Sequence, residues 1–196
     1  MQKYYLIILL TFPLLLSAEN YQSINDSQDW QFALTSGDTV TALEILLSSS
    51  DTSDIRIALD FLLISYEKDS LSEIILGGLG YGYHVLDQLE KAEFYFRKLI
   101  EVNNFSGGAF YNLACVYFRR KNIEKGFEYL ENAFRRGEPP YEYLIEDEEL
   151  VNIRDDTRFK ELLKLYYTSD DLKVWSIFRE SYQYLEEGDK FLAIKS

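Results

Sequence analysis

Leu76-Gly-Gly-Leu-Gly-Tyr-Gly-Tyr83 and Phe110-Tyr-Asn-Leu-Ala-Cys-Val-Tyr117 place large and small side chains in the same order, 34 residues apart. Leu76 pairs with Phe110, Leu79 with Leu113, Gly80 with Ala114 and Tyr83 with Tyr117. The echo runs on through Ala92 and Gly126, Phe96 and Leu130, and Leu99 and Ala133. Self-similarity at a period in this range is the signature of stacked repeat units. Each unit also has helical periodicity: Leu89, Ala92, Phe96 and Leu99 recur at three- and four-residue steps, as do Ile123, Phe127, Leu130 and Phe134.

The rest of the chain agrees with a helical reading. Its three prolines, Pro13, Pro139 and Pro140, leave long uninterrupted stretches. Turn signals fall at Gly37–Asp38, Ser50 to Asp54, Lys68 to Ser70, Asn103 to Gly108 and Gly137 to Pro140. Period-two strands are not evident, so the predicted fold class is all-α. Two helices joined by a short turn approach closely only where side chains are small, so Gly80 is expected against Ala92 and Ala114 against Gly126.

The N-terminus speaks to compartment. One basic residue, Lys3, precedes the apolar run Tyr4 to Leu16, and the small pair Ser17–Ala18 follows. That order reads as a secretory signal peptide cleaved after Ala18. The run is shorter than the roughly 20 residues of a bilayer-spanning helix, and no other segment reads as a span. The expected location is therefore exported, in the periplasm or cell envelope or secreted. A formal net charge of −13 argues against nucleic acid and against an anionic membrane surface as partners. Cys115 is the single cysteine, which excludes an intrachain disulfide; stability must come from packing.

The units at 73–106 and 107–140 resemble tetratricopeptide repeats. The resemblance rests on the small-residue pair, on the tyrosine three residues after Gly80 and Ala114, and on Phe96 and Leu130 four residues after Ala92 and Gly126. Leu76 and Phe110 stand where the family has tryptophan near the repeat start, and Asn104 where it has a closing proline, which the second unit displaces to Pro139. The segment from Arg136 through Arg154-Asp-Asp-Thr-Arg-Phe159 to Leu163 resembles the closing segment of many bacterial tetratricopeptide proteins. Leu150, Ile153, Phe159, Leu162 and Leu163 would supply its apolar face, since a solenoid end needs a cap.

This implies a short right-handed α-solenoid, with a signal peptide at 1–18 and a divergent helical repeat or cap at 19–72. The two repeats follow at 73–140, then capping helices at 141–196. Within the flanks, Trp30 to Leu47 reads as a degenerate hairpin and Asp54 to Tyr66 as a helix. Val174 to Leu185 and Gly188 to Ile194 read as a helix pair or one long helix.

The candidate chemistry is sparse. His84 is the only histidine, so no multi-ligand His/Cys metal site can form in one chain. A Cys115–His84 nucleophilic pair is conceivable, but no orienting third group or oxyanion element accompanies it. Gly77, Gly78, Gly80 and Gly82 lack the Gly-x-Gly-x-x-Gly spacing, the preceding strand and the following Lys-Ser/Thr of phosphate loops. Each costs a helix about 1 kcal/mol, which leaves two readings, a locally flexible helix or a close backbone contact. The clusters Glu146 to Glu149 and Asp155–Asp156 lack calcium-loop spacing and suit helix starts. Asn25-Asp-Ser27 and Asn104-Phe-Ser106 match the glycosylation pattern, relevant only to a eukaryotic source. No catalytic residue, metal or cofactor is predicted, and the chain is not expected to be an enzyme.

What the resemblance adds is a groove for a protein or peptide partner, lined by the first helix of each repeat. Carried over residue by residue, it comprises Ile74, Tyr81, His84, Tyr111, Cys115, Phe118 and Arg119. Gly77 and Gly108 occupy two of the places where chaperone-binding relatives hold a C-terminal carboxylate, so a chaperone-tail receptor is not expected. An aromatic groove with one Arg suits an apolar partner segment. The alternative is that these aromatics are simply core. Three function classes stay open: an interaction scaffold, a self-oligomerising structural module, and a Cys/His-dependent enzyme.

Overall fold

The computed structural model describes residues 39–139 and 141–167, all of whose regular structure is helical. The expected signal peptide, residues 30–38 of the first expected hairpin, and the expected helices at Val174 to Leu185 and Gly188 to Ile194 lie outside the described residues. Two compact units divide the chain at Pro139 and Pro140.

The first unit holds α1 (Thr39–Ser48), α2 (Thr52–Lys68), α3 (Glu73–Val85), α4 (Leu89–Val102), α5 (Gly107–Arg119) and α6 (Ile123–Phe134). They pack as three hairpins, α1 on α2, α3 on α4 and α5 on α6, and successive hairpins join through α2–α3 and α4–α5. The helix after Gly37–Asp38 thus takes α2 as its hairpin partner. One core runs from Ala42 and Leu43 through Leu62, Leu79 and Phe96 to Leu113 and Tyr117.

The turns inside the two repeats carry neither Gly nor Pro. Asp87 and Lys121, themselves 34 residues apart, adopt left-handed φ values of 57° and 61°. Each lets the following amide reach back to the helix: Gln88 N donates to Tyr83 O and Asn122 N to Tyr117 O, both at 2.9 Å. This is the left-handed C-terminal closure that satisfies the last carbonyls of a helix. The paired tyrosines Tyr83 and Tyr117 thus anchor their turns through their backbone carbonyls.

The glycines of α3 resolve into close contacts. A Cβ at Gly80 would stand 2.5 Å from the ring of Phe96. One at Gly78 would meet Leu43 at 2.5 Å, and one at Gly82 would meet Leu59 at 2.6 Å. Gly78 and Gly82 are one helical turn apart, so α3 offers a bare stripe on which Leu43, Leu46, Leu59 and Leu62 seat. The nearest atoms to Gly80 belong to Phe96 rather than to the expected Ala92. In the second repeat the filling ring comes from the opposite helix. Phe118 of α5 lies over Gly126, at 2.2 Å from where its Cβ would be. Bulk is thus exchanged between repeats: Gly80 with Phe96 becomes Ala114 with Leu130, while His84 with Ala92 becomes Phe118 with Gly126.

Gly77 is the exception. Its Cβ position lies 3.7 Å from Leu99, an ordinary contact. Gly77→Ala is therefore expected to raise stability by up to about 1 kcal/mol, through helix propensity and a less flexible unfolded chain. A urea midpoint that falls instead would show the contact to be closer than the backbone implies.

The second unit comprises α7 (Tyr141–Glu146), a 3-10 helix (Glu148–Ile153) and α8 (Thr157–Tyr166). Its acidic residues start helices: Asp147 Oδ1 accepts from Glu149 N at 2.9 Å and Asp156 Oδ1 from Arg158 N at 2.8 Å. Arg158 also pairs with Asp156, at 2.9 Å. Leu144, Leu150, Ile153, Phe159 and Leu163 are buried, whereas Leu162 is half-buried.

Candidate interaction site

α3 and α5, the first helices of the two repeats, touch directly and bring the predicted groove residues onto neighbouring helices. Tyr81 and His84 lie on α3 and are buried; Tyr111, Cys115 and Phe118 lie on α5 and are buried too, Tyr111 at 1% exposure. Ile74, in the first turn of α3, is 36% exposed. Arg119 is partly exposed and bridges the repeats. Its Nη1 donates to His84 O at 2.8 Å and stands 3.5 Å from Asp87 Oδ1. It therefore neutralises the C-terminal end of α3, where backbone carbonyls concentrate negative potential. Phe118 meets Phe127 edge-on at 5.4 Å, so part of its ring serves the hairpin interior. Among the described residues, no group of three or more His, Cys, Asp or Glu could hold a metal ion.

Asn112, beside Tyr111, was not among the sequence candidates. It is buried, and its Nδ2 has no hydrogen-bond partner among the described residues. A buried amide donor left unmatched costs about 1–3 kcal/mol, so it is a polar feature of α5 that packing alone does not explain. A lone polar residue in an apolar helix was the available signal.

The back of each repeat carries a second, more polar arrangement. Tyr83 stacks on Tyr95 at 5.6 Å, and Tyr117 on Tyr129 at 5.2 Å. Lys91 lies over the Tyr83 ring and Lys125 over Tyr117, at 4.8 and 5.1 Å. Both sets obey the same 34-residue register, which Lys91 and Lys125, and Tyr95 and Tyr129, carry in the sequence.

Between α4 and α5 these rings meet an ionic clasp. Glu93 receives Arg97 Nε at 2.8 Å, the Tyr117 hydroxyl, and Arg120, which also reaches Glu90 at 3.0 Å. Arg97 Nη2 donates to Tyr117 OH at 2.7 Å. Burial alone would raise the Glu93 pKa. The donors from Tyr117, Arg97 and Arg120 outweigh burial and hold it at about 2. Burial, followed by the adjoining Glu93, pushes the Tyr117 hydroxyl up.

Stacked hairpins with a 34-residue register, a glycine-filling ring in each repeat and matched left-handed turns define a helical-repeat fold. A sequence model of the tetratricopeptide repeat matches residues 107–136, so α5 and α6 are a tetratricopeptide repeat. The α3–α4 hairpin repeats its geometry one unit earlier. No curated protein matches the chain. No described helix is long and apolar enough to cross a membrane.

Proposed function

We propose that the chain is a non-enzymatic, exported scaffold whose α3–α5 face binds a segment of a partner protein. The tetratricopeptide match over α5 and α6 carries this reading, because repeats of this family bind partners along their first helices. Aromatic Tyr81 and Tyr111, with Arg119 at the far end of α5, suit an apolar segment bearing an acceptor for the guanidinium. Export rests on the order of residues in 1–18 and is checked by sequencing the mature N-terminus, expected at Glu19.

The groove is tested by crosslinking and pull-down from the compartment in which the protein resides. Tyr81→Ala with Tyr111→Ala should reduce recovery of a specific partner at least about tenfold. Tyr→Phe at both positions preserves packing and serves as the folding control. Undiminished recovery by a folded Ala variant would refute the α3–α5 face as the binding surface.

A further inference from the structure

The 34-residue register reaches further toward the N-terminus than the two repeats that carry the echo. Thr39, Glu73 and Gly107 open α1, α3 and α5 at that interval, and Lys68 and Val102 close α2 and α4 at the same one. Position by position, Phe61 and Ile64 of α2 correspond to Tyr95 and Lys98 of α4. One step earlier, Asp38 stands at the place of Ser72, which caps α3 by accepting from Ile75 N at 3.5 Å. Leu34 stands at the place of Lys68, and Phe32 at that of Tyr66.

These positions form the joint between consecutive second helices. Tyr66 of α2 meets the Tyr95 ring of α4 edge-on at 5.6 Å. Lys98 lies over the Tyr66 ring at 5.1 Å and donates to its hydroxyl. On α2 the counterpart of Lys98 is the apolar Ile64, left 53% exposed one turn beyond Phe61. The chain enters at this end of the hairpin: Thr39 Oγ1 donates to Ser65 Oγ at 3.4 Å, so the residues leading into α1 arrive beside Ile64. Thr35-Ser-Gly-Asp38, the four residues before α1, are turn formers.

We infer that the chain's own segment leading into α1 docks on this edge, with Phe32 seated on Phe61 and Ile64 as Tyr66 is seated on Tyr95 and Lys98. The chemistry of the two joints changes in concert. Tyr66 offers Lys98 a hydroxyl and a ring face; Phe32 has no hydroxyl to offer, and Ile64 has no donor to be satisfied. A polar pair in one joint is thus replaced by an apolar pair at the same positions of the other. The docked segment covers the N-terminal edge of the first unit, as the ends of repeat stacks require.

Chymotrypsin, which cuts after aromatic residues, reads the docking directly when cleavage of the mature chain after Trp30 is followed by mass spectrometry. Ile64→Ser should speed that cleavage at least about tenfold, because a site held by packing is cut only when it opens. Ile64 is exposed, so an unchanged circular dichroism spectrum is expected, and cleavage after Phe105, 83% exposed in another turn, serves as the internal reference. Phe32→Ser should speed cleavage after Trp30 to the same degree, and the two substitutions together no further, since both break one contact. Ile64→Lys, which copies Lys98, should be cut more slowly than Ile64→Ser, because a lysine can lie over the Phe32 ring. Equal rates after Trp30 in wild type and Ile64→Ser overturn the proposal, as do additive effects of the two Ser substitutions. Ile64→Lys cut as fast as Ile64→Ser overturns it too. So does a wild-type dimer in sedimentation that Ile64→Ser dissolves, since the occupant of the edge is then a second copy.

Discussion

Phe96→Ala is expected to lower the stability of the folded chain by about 3–5 kcal/mol, the range for emptying a fully buried aromatic site. Phe96 is 1% exposed, and its ring occupies the space beside Gly80. Removing it opens a void between α3 and α4 where the core is continuous. The void cannot close readily, because Gly78 and Gly82 already hold α3 against the leucines of α1 and α2. The same geometry predicts a change of sign. In the wild-type background Gly80→Ala drives a methyl to 2.5 Å from the ring, an overpacking that costs about 1–3 kcal/mol and exceeds the helix propensity gained. In the Phe96→Ala background the same substitution enters the void and should stabilise by up to about 1 kcal/mol. A double-mutant cycle by urea denaturation measures this coupling. Gly80→Ala effects that agree in the two backgrounds would mean that the ring and the glycine are not packed as described.

That coupling marks where the sequence was readable. The Gly80–Ala114 and Ala92–Gly126 register placed α3 to α6 as two related hairpins, because a period reports which residues face one another. It did not say which ring fills which gap. Phe96 and Phe118 sit in different helices of their repeats, and only packing shows that each covers a glycine. The same limit applied to the glycines of α3, since spacing cannot separate a flexible helix from one on which four leucines sit. The left-handed φ at Asp87 and Lys121 is set by the flanking helices rather than by a glycine, so residue type alone does not announce it.

Glu93→Gln is expected to destabilise the chain by about 1–3 kcal/mol at pH 7. The glutamine keeps the shape of the side chain while removing the charge that Arg97 and Arg120 face. Part of the ionic contribution is screened, since Arg97 is 43% exposed, and this holds the effect below that of a fully buried pair. The Tyr117 hydroxyl would still find an amide oxygen, so the loss reflects charge more than hydrogen bonding. The pH dependence follows from the sign of the shift. Glu93 is held at about 2 in the folded chain against an ordinary 4.5, so its contribution is fully present above pH 4.5. It is lost as pH falls toward 2, because the unfolded chain binds the proton first. The gap between wild type and Glu93→Gln should therefore stay constant from neutrality down to about pH 5 and narrow below it. Glu90 also faces Arg120, at 3.0 Å, but is largely exposed, so Glu90→Gln should change stability by less than about 0.5 kcal/mol. Urea midpoints of the three proteins from pH 7 to pH 3 test this. A gap that does not narrow on acidification would show that the Glu93 carboxylate does not hold α4 and α5 together through its charge.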